Sequence, residues 1–234
     1  MPDRILSPPQ RRSVRTFVKR TGRMTAAQSR ALEELWPDYG IEFSEEFLDL
    51  DRVFGRSADR VLEIGFGDGD SLVQQAAANP GVDYLGIEVH DPGAGHCMLQ
   101  ARRHEIRNLR IVIHDALDVL QQQVPDASLN RINLYFPDPW PKKRHHKRRM
   151  VQHEFLQLAA RKLKAGGSLH IATDWENYAA QIDEITAAGK LFRIAERREH
   201  VGENALDRPM TKFEKRGLGK GHRIWDWRLI RISF

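Results

Sequence analysis

The chain has 234 residues, a single cysteine, and 37 Lys plus Arg against 32 Asp plus Glu, a net charge of +5. That length supports a full α/β core as one domain with at most a short appendage. One cysteine excludes an intramolecular disulfide, and no apolar run forms a signal-peptide core or approaches the roughly 20 residues that span a bilayer; the chain reads as cytoplasmic, with Cys97 as small buried filler. The charge is segregated. Residues 1–24 carry seven basic side chains against Asp3 alone, and residues 142–149 carry six basic side chains and no acid, so the rest of the chain is acidic. Two basic patches on an acidic body suit a polyanion-binding surface on an enzyme.

Residues 1–24 hold Pro2, Pro8 and Pro9, many arginines and little hydrophobic periodicity, and are expected to form a basic, mobile arm preceding a single domain over 25–234. Thr25 is positioned to cap a helix that Pro37 and Gly40 end, and Phe43 to Leu50 predicts a second short helix closed by Gly55. Strand and helix then alternate: strands over 60–65, 84–89, 109–114, 130–136 and 168–173, with helices over 71–79, 94–106, 150–163 and 175–188. Residues 191–195 and 224–234 supply two further strands. This pattern predicts a doubly wound, mostly parallel sheet with helices on both faces and ligands at the carboxyl ends of its strands.

The loop after the first strand, Glu63-Ile-Gly65-Phe-Gly67-Asp-Gly69-Asp70, departs from a dinucleotide fingerprint because Asp70 stands where the third glycine belongs. A pyrophosphate there would face Glu63, Asp68 and Asp70 and be repelled, whereas a cationic ligand would not. S-adenosylmethionine offers a sulfonium, an ammonium, ribose hydroxyls and an adenine amine. Glu88, closing the second strand, suits the ribose hydroxyls, and Asp115, following the third, suits the adenine amine or a helix N-cap. The fourth strand delivers Phe136-Pro-Asp138-Pro-Trp140-Pro-Lys142, where prolines at alternate positions stiffen the backbone around one carboxylate and one large aromatic, and the basic run follows directly. Asp138-Pro139-Trp140 is close to a pattern of enzymes that methylate exocyclic amines. His145-His146 and His153-Glu154 are poor metal ligands beside so many cations, and no metal is expected.

The combination resembles the bacterial tRNA (guanine-N7)-methyltransferase family, in Leu62–Gly69, Gly86–His90, Phe136–His145, Thr173-Asp174 and Thr211-Lys-Phe-Glu-Lys-Arg-Gly217. The resemblance implies a class I, Rossmann-like, S-adenosylmethionine-dependent fold and methyl transfer to N7 of a guanosine in the tRNA variable loop. Carried over by position, it implies donor contacts at Glu63, Gly65, Gly67, Gly69, Glu88, Asp115 and Asp138, with Asp138 also catalytic. It implies substrate contacts at Lys142, Asp174, Thr211, Lys212, Phe213 and Glu214, and RNA contacts at Arg144, His145, His146, Lys147, Arg148 and Arg149. Trp140 and Trp175 are candidates for stacking on a base. The expected partner is tRNA, with no membrane, no obligatory protein partner, and a monomer or homodimer. Methylation of another base position, such as adenine N6, and a non-catalytic RNA-binding protein are the competing readings.

Overall fold

Aliphatic runs bounded by turn residues pair into a seven-stranded sheet in the computed structural model, which describes residues 16–17, 23–201, 206, 208–219 and 221–232. The strands are β1 (Asp59–Ile64), β2 (Val82–Glu88), β3 (Leu109–Ile113), β4 (Leu129–Tyr135), β5 (Leu163–Thr173), β6 (Phe192–His200) and β7 (Ile224–Arg231). Their order is β3-β2-β1-β4-β5-β7-β6; the first five are mutually parallel and β7 runs antiparallel to both β5 and β6. The doubly wound, mostly parallel sheet expected from the sequence is therefore present. The strand order reverses between β1 and β4, where α/β sheets open a crevice at their carboxyl ends.

The helices are α1 (Ala26–Glu34), α2 (Trp36–Tyr39), α3 (Leu50–Phe54), α4 (Asp70–Ala78), α5 (Asp91–Arg103), α6 (Ala116–Asp118), α7 (His153–Lys162), α8 (Glu176–Ala188) and α9 (Lys212–Leu218). One apolar cluster joins α7 and α8 to Leu62, Ile64, Leu134, Ile171 and Trp227 of the sheet, and a second joins α4 and α5 to Val61, Tyr84 and Ile111 on the opposite face. Thr25 caps α1 in a reciprocal capping box with Gln28. Cys97 is buried and packs where Gly69 passes, 2.4 Å from the position a Cβ on that glycine would take.

Four details differ from the sequence reading. The helix expected over 43–50 begins only at Leu50, because Asp49 accepts the Arg52 N–H and sets the N-cap there. Gly166-Gly167 does not separate α7 from a strand at 168; β5 already starts at Leu163 and takes up the glycines as a bulge opposite Leu129 and Arg131. The basic run coils into a 3₁₀ turn over Lys143–Arg148, and α9 lies in the segment between β6 and β7. Most of the expected arm lies outside the described residues.

The face that carries α4 is not apolar throughout. Glu63, Asn133 and His170 stand in register across β1, β4 and β5, with Asp226 of β7 beside them, and all four are buried. Charged groups in a sheet interior demand partners; Gln75 of α4 supplies one to Glu63, and Arg208, between β6 and β7, supplies one to Asp226.

Candidate active site

Every loop at the carboxyl ends of β1 to β4 converges on one cavity of about 220 Å³. Its wall includes Gly65 and Gly67 after β1, Glu88 to His90 after β2, His114 and Ala116 after β3, and Phe136 to Asp138 after β4. Phe213 of α9 and Thr16-Phe17 of the N-terminal segment close its rim. The glycine loop turns tightly, with φ of 64° at Gly67 and 81° at Gly69, a region that side chains other than glycine enter at a cost of about 1 kcal/mol or more.

Glu88 ties that loop to β2. One carboxylate oxygen accepts the Gly67 N–H at 2.8 Å, and the other accepts the N–H groups of Val89 at 2.7 Å and His90 at 3.1 Å. A carboxylate held by three backbone donors cannot swing away from the wall it forms. Asp115 caps α6, accepting the Leu117 N–H at 2.9 Å, so the N-cap role open to it in the sequence is realised; it does not line the cavity. Glu63 does not line it either. It is buried under α4, where Gln75 Nε2 donates to it at 3.1 Å, and burial pushes its carboxyl up to about 7 against the hydrogen bonds of Gln75 and Asn133 and the charge of Arg208. Direct contact of Glu63 with a ligand in this cavity is therefore not what the fold provides.

Asp138 lies exposed in the cavity wall between Pro137 and Pro139. The loop bends at both ends: Phe136 has φ 50° and Trp140 φ 44°, left-handed values for bulky residues. Two contacts hold Trp140 there. The Arg148 guanidinium lies 3.6 Å from the indole centroid, and the indole N–H donates to the Thr16 carbonyl at 3.0 Å. Arg148 also donates to the Phe17 carbonyl at 3.0 Å, so the described part of the arm is pinned over the cavity by the basic run. One face of Trp140 is thus covered by Arg148, which leaves at most the other for a base; Trp175 is 37% exposed next to Asp174.

The basic run divides in two. Lys142, Lys143, Arg144 and Lys147 are exposed, and His145 and His146 are half-buried, with His145 shifted down by partial burial and then by the neighbouring cations. Arg149, expected as an RNA contact, is 1% exposed. Its guanidinium donates to the carbonyls of Pro139 and Asn177 and to the side chains of Asn177 and Gln181, and it lies over Tyr178. It anchors the Asp138 loop to α8 instead of facing solvent.

The acceptor-side residues also separate. Lys212 is exposed and bonds Asp68 at 2.9 Å, which draws α9 over the glycine loop; Phe213 is 60% exposed on the cavity rim. Asp174 is half-buried with His222 Nδ1 at 3.2 Å. Thr211 and Glu214 form a capping box, and Glu214, expected to meet substrate, is fully buried against Arg208. Sequence reasoning missed Arg208, His222, Gln75 and Asn133. The usable signal was polar residues inside apolar strands: His170 in Ser168-Leu-His-Ile-Ala and Asp226 in Trp225-Asp-Trp.

A cavity with two wall carboxylates, closely approaching glycines and, among the described residues, no cluster of phosphate-binding cations suits a cationic, hydroxylated ligand. The exposed cations beside it suit a polyanion.

The family model Methyltransf_4, described as "Putative methyltransferase", matches residues 57–227. A tRNA (guanine-N(7)-)-methyltransferase of Shewanella frigidimarina is 52% identical over 215 residues, covering 92% of this chain and 90% of that one. One of Alkalilimnicola ehrlichii is 51% identical over 219 residues, covering 92% of each. Among solved structures, the 16S rRNA methyltransferase KamB aligns with a TM-score of 0.58 at 15% identity, over 80% of this chain and 95% of that one. A 16S rRNA (adenine(1408)-N(1))-methyltransferase from Catenulisporales acidiphilia aligns at 0.56 and 18%, over 80% and 92%. These two share the class I methyltransferase fold. With its strand-end cavity, its Asp138 loop and half-identity along nearly its whole length, the chain belongs to the tRNA (guanine-N7)-methyltransferase family.

Proposed function

We propose that this chain transfers a methyl group from S-adenosylmethionine to N7 of a guanosine in the variable loop of tRNA, acting as a cytoplasmic enzyme in which residues 25–234 form one catalytic domain. No helix among the described residues is long and apolar enough to cross a membrane. The observation that carries the reading is the acidic strand-end cavity flanked by an exposed basic run, in a chain about half identical to relatives named for this reaction. No obligatory protein partner is invoked, and a monomer or a homodimer serves the geometry equally.

When bound, the donor supplies an electrophilic methyl on a positively charged sulfur. Glu88 holds its ribose side, and the glycine loop lets backbone approach it closely. Guanine N7 bears an in-plane lone pair and no proton, so no general base is needed and positioning is the main task. Attack places positive charge on the guanine, and Asp138, fixed between prolines in the cavity wall, is positioned to stabilise it as it develops. With N7 turned toward the methyl group, the guanine N1–H and amino group need acceptors; of the two carboxylates among the expected substrate contacts, Asp174, half-buried beside His222, is the accessible one, since Glu214 is buried. Lys142, Lys143, Arg144 and Lys147 take phosphates, giving affinity without base readout.

The test is transfer from labelled S-adenosylmethionine to unmodified tRNA with nucleoside analysis. Label in 7-methylguanosine is expected; label in another nucleoside sinks the N7 assignment. No label despite binding of both donor and tRNA points to the non-catalytic alternative.

A further inference from the structure

We propose that Arg208 is a positioning residue for methyl transfer: it locks α9, the acceptor side of the site, to the strand end that carries Asp138. The inference rests on the function proposed above and concerns a residue outside every motif that led to it.

Arg208 is fully buried at its side chain between two carboxylates that are equally buried. Toward β7 it forms a fork with Asp226, Nε donating to one oxygen at 2.8 Å and Nη2 to the other at 3.0 Å. Toward α9 it forms a second fork with Glu214, Nη2 donating at 3.1 Å and Nη1 to the other oxygen. Nη1 also reaches the Pro209 carbonyl at 3.4 Å. A planar guanidinium with five N–H donors can serve two carboxylates in this way; an ammonium, with three donors on one nitrogen, cannot reproduce both forks.

What the two forks join decides the role. Glu214 closes the capping box of α9, accepting the Thr211 N–H at 3.3 Å while Thr211 Oγ1 accepts the Glu214 N–H at 3.1 Å. The intervening Lys212 and Phe213 are the residues that reach Asp68 and the cavity rim. On its other side the guanidinium faces the rings of Tyr135 at 5.2 Å and Phe136 at 5.4 Å, and Phe136 is two residues before Asp138. Asp226 is held in turn by His170 at 3.3 Å and His200 at 2.9 Å, which fixes the anchor to β5 and β6. Arg208 therefore sets the distance between the carboxylate that meets the developing charge and the helix that borders the acceptor base. It backs the cavity wall at Tyr135 and Phe136 without lining the cavity itself.

Displacing one side of a reaction geometry by about 1 Å costs about 100-fold in rate while leaving remote contacts intact. Arg208→Lys keeps a buried cation and gives up one fork; it is expected to lower kcat for tRNA between about 10-fold and 100-fold, leaving donor Kd within about threefold, the tRNA KM near wild type and the salt slope of tRNA binding unchanged. Glu214→Gln keeps the capping-box acceptor and breaks the ion pair, and is expected to act in the same direction. Both are measured with full-length protein, with melting curves alongside.

Wild-type kcat in both folded variants overturns the proposal. So does a parallel loss of donor and tRNA binding, or failure of both conservative variants to fold, because Arg208 would then hold the fold and not the reaction geometry. If one variant fails to fold, the other decides. A wild-type protein that binds donor and tRNA without methylating N7 refutes the functional reading, whereas an active wild type with indifferent variants refutes the role of Arg208 alone.

Discussion

Glu63 is a buried acid whose titration bears directly on stability. It is 3% exposed in β1, bonded by Gln75 Nε2, with Asn133 in reach, and its carboxyl titrates near 7 where an ordinary one titrates at 4.5. Between those two pH values the folded protein holds a proton that the unfolded chain releases, so this group makes stability fall as pH rises through the window and is constant above it. At about 1.4 kcal/mol per pH unit the full difference is about 3 kcal/mol. Glu63→Gln keeps the shape and the acceptor for Gln75, and its amide can donate to the Asn133 side-chain oxygen, which lacks a partner among the described residues. The variant should match wild type near pH 4.5 and exceed it by about 3 kcal/mol at pH 8. Urea unfolding at both pH values, without donor, measures the difference; the acid groups common to both proteins cancel in it. A difference that stays the same at both pH values, within about 0.5 kcal/mol, would refute the assignment of a buried, desolvated carboxylate.

Asp138→Asn should lower kcat by about 100-fold or more with little change in melting temperature, since the loop is held by Arg149 and Trp140; unaltered turnover removes Asp138 from charge stabilisation. Replacing the exposed Lys143, Arg144 and Lys147 together by Ala should weaken tRNA binding and reduce its salt slope by about two to three, and an unchanged slope returns the run to a solvated surface. Arg149→Ala should instead cost about 2–4 kcal/mol of stability, because it leaves acceptors on Pro139, Asn177 and Gln181 unpaired, with an unchanged salt slope of tRNA binding in the folded fraction. A large salt effect with normal stability would reverse that division.

The strands and main helices were legible because burial writes itself into spacing: aliphatic runs such as Arg60-Val-Leu-Glu-Ile, followed by Gly65, and Leu109-Arg-Ile-Val-Ile, preceded by Asn108, have a turn residue at one end. Local signals also placed the α1 cap. What spacing does not carry is which charged residue is inside. Arg149 closes a run of cations that look alike in sequence, yet it alone is buried, because the 3₁₀ turn aims that position at α8. Thr211-x-x-Glu214 is a capping box readable from sequence, but its family resemblance drew attention to substrate and away from the helix it starts. Glu63 ends a strand beside a glycine loop, and nothing in that loop reveals that its side chain turns under α4. Arg208 lies 18 residues from Asp226 in a stretch without periodicity, so their pairing is a tertiary fact.

The proposed reaction sets opposed electrostatic demands within a short stretch of chain: a cationic donor needs carboxylates, and a polyanionic acceptor needs cations. Asp138 and Lys142 are four residues apart, and four residues extend at most about 13–14 Å. Screening at physiological salt acts over about 8 Å, so exposed charges near that limit influence one another weakly. The left-handed turns at Phe136 and Trp140 shorten the path, and the position of the cations then decides the outcome. Arg148, which turns back toward the cavity, is stacked on Trp140 and bonded to Phe17, while Arg149 is consumed by α8 and the Pro139 carbonyl. Lys143, Arg144 and Lys147 remain exposed on the 3₁₀ turn. Folding thus engages Arg148 and Arg149 beside the cavity and leaves Lys142, Lys143, Arg144 and Lys147 exposed for phosphate. The proposed transfer moves the positive charge from the donor to the base, and a cavity walled by Glu88 and Asp138 favours the charged donor over its neutral thioether product.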